Sequence, residues 1–126
     1  MKTLMLGGWA VALLLGAVPQ AKDKKPKPKT IKQIMEETHK GADNPASEVR
    51  HGRGTPEMAK TLLEAYKLMA SMKPPRGDEK SWKSRTEAVI AALTDLLANK
   101  SGAVDRVYSA TDCRACHDPH RVGGNK

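Results

Sequence analysis

The sequence predicts an all-α protein, an antiparallel four-helix bundle. Apolar residues recur at helical spacing in four segments, no stretch alternates with the period of a strand, and short Gly/Pro-bearing loops separate the segments. At 126 residues the chain has room for one domain. With no Phe, two Trp and two Tyr, it lacks the bulky side chains that usually fill a core of this size. Either a Leu- and Ala-rich bundle folds without them, or a bound group supplies the missing volume.

Residues 1–21 read as a secretory signal. Lys2 gives a positive start, residues 4–18 form an apolar run, and Pro19, Gln20 and Ala21 supply a breaker and a small residue. The run is shorter than the ~20 residues that a spanning helix needs, so stable membrane insertion is not expected. An uncleaved N-terminal anchor is the alternative. No cysteine follows the run to carry a lipid. Residues 22–29 (KDKKPKPK) form a basic Lys/Pro linker, read as an extended spacer with membrane or cell-wall binding as the other possibility.

Helices follow from Thr30. Thr30 and Gln33 fit a capping box, and Ile31, Ile34, Met35 and His39 share one face. Residues 41–45 interrupt, and Pro45 can open a short segment through Val49 that ends at the glycines around Arg53. Thr55, Pro56 and Glu57 then start a helix with the apolar stripe Met58, Leu62, Tyr66 and Met69, stopped by Pro74 and Pro75. Another starts near Asp78 and is expected to bury Trp82, Val89, Leu93, Leu96 and Leu97. In the last, Ser101 is the expected cap, and Val104, Val107, Tyr108 and Thr111 lead down to Cys113.

The formal charge is +8; without Lys2 the balance is 21 basic to 14 acidic residues, about +7. Nucleic acid is a poor explanation for an exported chain without aromatics interleaved among its basic residues. A basic face that steers an acidic redox partner fits better, against a background of ordinary solvated charge.

The chemistry is concentrated in Cys113-Arg114-Ala115-Cys116-His117. C-x-x-C-H is the attachment pattern for c-type haem. On a helix the two sulfurs stand three apart on one side, and the next residue's imidazole can meet an iron from the same surface. C-x-x-C alone also suits a thioredoxin-like pair, half a zinc site or a disulfide. No βαβ context supports the first. A zinc set of Cys113, Cys116, His117 and His120 would crowd four ligands into eight residues. The adjoining His and the secretory signal favour one covalent haem c.

The run Cys-Arg-Ala-Cys-His-Asp-Pro-His-Arg (113–121) resembles the C-terminal signature of class II c-type cytochromes, the cytochrome c′ and c556 group. An N-terminal helix with Met, a Pro/Gly loop and a helix led by Trp82 follow the same order. The resemblance spans residues 30–121, which makes 30–126 a haem-binding four-helix bundle, and it is most specific in the last nine of those it spans. It implies that Cys113 and Cys116 carry the haem, that His117 is the fifth ligand and that Arg121 pairs with a propionate. Met35 matches the Met that ligates iron in c556-like members, and its alternative role is core packing. His39, one turn along, is the alternative sixth ligand; an open site, as in cytochromes c′, is the third possibility. Two departures are His120, where the family has Tyr or Phe, and the Gly/Pro break after the first helix.

The implied function is periplasmic electron transfer to redox partner proteins, without enzyme activity, since no second catalytic constellation accompanies the motif. The alternative is a five-coordinate binder of nitric oxide or carbon monoxide. A homodimer through the first two helices is a family habit that the break at residues 41–45 argues against.

Overall fold

The computed structural model describes residues 29–122. The expected secretory signal (residues 1–21) and residues 22–28 of the expected linker lie outside the described residues. Within them the protein is all-helical, with α1 (Ile31–His39), α2 (Pro45–Arg50), α3 (Pro56–Ala70), α4 (Glu79–Leu97), α5 (Ala103–Ala110) and α6 (Cys113–His120). No described helix is long and apolar enough to cross a membrane.

The short segment expected from Pro45 is α2, and the expected last helix is divided into α5 and α6, because polar side chains restart the backbone at both places. Asn44 accepts from the Ser47 amide and Pro45 takes the first helical position, so α2 begins afresh after α1. Asp112 accepts from the amides of Arg114 and Ala115, which separates α6 from α5. The Thr30–Gln33 capping box, the Thr55 cap and the start at Asp78 are all present as expected.

Ser101 does not cap α5. The turn from α4 needs left-handed backbone, at Asn99 (φ 55°) and at Gly102 (φ 72°). The capping position therefore falls to a glycine that has no side chain to offer. The buried line of α5 is also rotated from the expected one. Ala103, Val107 and Thr111 are buried, while Val104 and Tyr108 are exposed. Tyr108 is covered on one face by the Arg50 guanidinium, 4.3 Å from the ring centre.

The core is built mainly by α3 and α4, which pack together through Leu62, Tyr66, Met69, Trp82, Val89 and Leu93. Small α2 inserts Ala46 and Val49 between α3 and α5, and α1 adds Ile34. Trp82 links the first turn of α4 to the end of α3: its indole N–H donates to the carbonyls of Met69 and Met72, both at 3.0 Å. α6 rests on α4.

Replacing Trp82 with Phe removes that shared donor from a buried site. Trp82→Phe is expected to cost about 1–3 kcal/mol in urea unfolding; a loss below about 0.5 kcal/mol, the size of an ordinary surface change, would contradict the role assigned to the indole.

Candidate functional site

The Asp112 cap fixes where α6 begins, and so which way its first turn faces. Cys113 stands at the first helical position and is exposed, while Cys116 and His117 are half-buried. Both thiols are free. Three residues apart on a helix, the sulfurs lie on one side, with His117 next to the second. Burial pushes the Cys116 thiol up, opposed by Arg85 and reinforced by Cys113. Burial, and then Arg121, hold His117 below the usual imidazole range against Asp118, which favours the neutral ring that ligates metals.

Two adjoining cavities open on this turn. The larger, about 640 Å³, is lined by Met35, His39, Trp82, Cys116, His117 and Arg121, among others. The smaller, about 150 Å³, is lined by Met35, His39, Tyr66, Cys113, Cys116 and His117, among others. The fold thus brings both sixth-ligand candidates of α1 to the Cys-His turn of α6, across most of the sequence. The larger cavity is within the ~300–1,000 Å³ range of small-molecule and cofactor sites. Two free thiols, an adjoining imidazole and a mostly apolar cleft suit a covalently held haem. Arg121 caps α6, is exposed and lines the larger cavity. A shallow groove of about 700 Å³ over α4 and α5 carries none of these residues and lacks this chemistry.

His39 is tied into a hydrogen-bonded chain. The Thr38 hydroxyl donates to the Ile34 carbonyl at 2.6 Å, and its oxygen meets His39 Nδ1 at 2.6 Å. With the hydroxyl proton already committed, Nδ1–H is the donor of the second contact. That leaves Nε2 as acceptor, and the Tyr66 hydroxyl donates to it at 3.0 Å. Burial first, then His117 and Arg50, bring His39 down to about 4. Burial, reinforced by Cys116 and Cys113, pushes the Tyr66 hydroxyl well up. Tyr66, read from sequence only as part of an apolar stripe, therefore lines the site through its polar end.

His120 also lines the larger cavity, but its ring nitrogens are committed elsewhere. It is buried, its Nδ1–H donates to the Arg76 carbonyl at 2.9 Å, and its Nε2 accepts from the Ser81 hydroxyl at 3.1 Å. Its ring meets Trp82 edge-on at 5.5 Å. With both nitrogens in use, His120 does not complete a zinc set with the cysteines.

The Arg76 guanidinium reaches back to the carbonyls of Asp118 and Pro119, so the α3–α4 loop clamps the end of α6. Sequence reasoning missed this clamp. Its contacts run between residues some 40 positions apart and have no local signal. Only Gly77 hints at it: its φ is +84°, and an added Cβ would lie 2.5 Å from the Pro119 carbonyl oxygen and 2.9 Å from His120 Nδ1.

Gly77→Ala is accordingly expected to combine backbone strain with a clash against α6. The cost in urea unfolding should be about 2–4 kcal/mol, whereas alanine at exposed Lys73, outside the clamp, should be near neutral. No protein-family model, curated protein or solved structure matches this chain, so the reading of the site rests on its own geometry and chemistry.

Proposed function

We propose that this chain is an exported, periplasmic electron-transfer cytochrome that carries one haem c on Cys113 and Cys116, with His117 as axial ligand. The observation that carries the reading is the convergence of free Cys113 and Cys116, His117 and the α1 residues Met35 and His39 on one largely apolar cleft. On this reading α1 and α2 would be a broken first member, and α5 and α6 a broken fourth, of a class II bundle.

When bound, the haem supplies an iron that gains and loses one electron. Cys113 and Cys116 would hold it in register as thioethers, and His117 would offer an imidazole nitrogen as ligand. Ile31, Met35 and Trp82 line the cleft and exclude water, which limits reorganisation around the metal. Lys32, Lys40 and Arg121 surround the same cleft, with Glu36 among them. Arg121 is the residue suited to a propionate, and the lysines favour an acidic redox partner. The cleft needs no substrate for this role, which is not an enzyme's.

The small cavity beside Cys113 and His117 favours one other reading, a five-coordinate cytochrome that takes up nitric oxide or carbon monoxide there.

A visible spectrum of the reduced protein, matured in a periplasm, tests both. The expected result is a c-type spectrum that carbon monoxide does not change. A spectrum that shifts with the gas would favour the gas binder, and no haem spectrum would end both readings. The double variant Cys113→Ala/Cys116→Ala is expected to lose all haem that survives denaturing electrophoresis; persistent staining would place the attachment elsewhere.

A further inference from the structure

We propose that His39, through Nε2, is the second axial ligand to the iron, partnering His117, with Thr38 as the residue that fixes its tautomer and Tyr66 as the donor that holds the unligated lone pair. The inference deepens the haem reading above and rests on it.

Three observations point to His39 rather than Met35. The first is the tautomer. Because the Thr38 hydroxyl spends its proton on the Ile34 carbonyl, Nδ1 of His39 must donate, and the lone pair belongs to Nε2. A histidine whose far nitrogen donates to a fixed acceptor is the usual arrangement around a metal-bound imidazole, since it orients the ring and raises its basicity. The second is placement. His39 lines both cavities that also contain Cys116 and His117, so its ring is in the wall of the site. The third concerns Met35. It lines the same cavities but also packs against the hydrophobic core, where a flexible thioether serves as filler.

Tyr66 gives the arrangement a second level. Its hydroxyl donates to Nε2 at 3.0 Å, and one lone pair cannot serve both Tyr66 and iron. Ligation therefore exchanges this hydrogen bond for a dative bond, with no proton released and no electron moved. Tyr66 acts through His39 and is a positioning residue. An imidazole in place of a thioether also lowers the potential of the carrier, because Met ligation raises it.

The test uses the full-length, periplasmically matured protein. Haem staining after denaturing electrophoresis comes first: absence of covalent haem defeats the cytochrome reading itself, whatever His39 does. With haem attached, ferric near-infrared magnetic circular dichroism and carbon monoxide titration of the ferrous form are compared for the wild type, His39→Gln, Met35→Leu and Tyr66→Phe. The expected wild type is low-spin, has the band of two nitrogen ligands and ignores the gas, and Met35→Leu behaves likewise; Tyr66→Phe, with no hydroxyl competing for Nε2, is expected to hold His39 on the iron more tightly, so that added cyanide displaces it at a higher concentration than in the wild type. His39→Gln is expected to become high-spin and to bind carbon monoxide, and added imidazole should return the low-spin spectrum. A nitrogen–sulfur band, a wild type that binds carbon monoxide, or opening of the iron by Met35→Leu instead of His39→Gln overturns the proposal. Should His39→Gln fail to mature, the wild-type band decides alone, because nitrogen–nitrogen and nitrogen–sulfur pairs absorb at different energies.

Discussion

The buried ring of His120 holds the C-terminal helix to the rest of the protein. α6 is eight residues long, contains a proline and rests on α4 alone among the helices. A helix that short is not stable by its own backbone hydrogen bonds and depends on tertiary support. His120 supplies it by joining the Arg76 carbonyl to the Ser81 hydroxyl, on either side of the α4 N-terminus, while its ring edge packs on Trp82. Trp82 in turn is tied to the end of α3. The chain α3 end, Trp82, His120, α6 orients the turn that bears Cys113, Cys116 and His117. The proposed chemistry thus depends on a contact that takes no part in it.

The other wall of the cleft is made by α1, and its construction is more polar than an apolar helix face suggests. Thr38, His39 and Tyr66 form a connected chain, and no described buried side-chain nitrogen or oxygen lacks a hydrogen-bond partner. Leaving any member of such a chain unpaired in a low-dielectric site would cost about 1–3 kcal/mol, so the chain holds its arrangement unless a new bond replaces one of its contacts. Apolar residues on the same cleft, Ile31, Met35 and Trp82, complete it. The result is a site with few aromatic rings, as the composition requires, and with cavities where a better-filled bundle would have side chains. A planar group in the larger cavity would also supply the volume that the absent Phe residues would otherwise provide.

Much was legible in the sequence because the signals were local. Helical class, the Thr30, Thr55 and Asp78 starts, and the burial of Leu62, Tyr66, Met69, Trp82, Val89 and Leu93 follow from spacing and cap chemistry, which act within a turn or two. The nearness of Cys113, Cys116 and His117 is equally local, being set by their positions on one turn. The break at Asp112 was readable too, as a capping residue one place before Cys113, but the apolar spacing from Val104 to Thr111 concealed it. Ser101 failed as a cap because the turn out of α4 needs left-handed backbone at Gly102, a demand made by how α5 packs on α4.

By itself, then, the sequence determined the helices, most of the core stripe and the reactive turn, all through interactions between neighbours in the chain. The tertiary structure decided which residues share the cleft with that turn. It brought Met35, His39 and Tyr66 to Cys116 and His117, and it assigned His120 to the clamp. Such choices depend on the relative rotation of whole helices and on loop carbonyls such as that of Arg76. Backbone acceptors are the same at every residue, so no sequence pattern marks the one that a distant side chain will find.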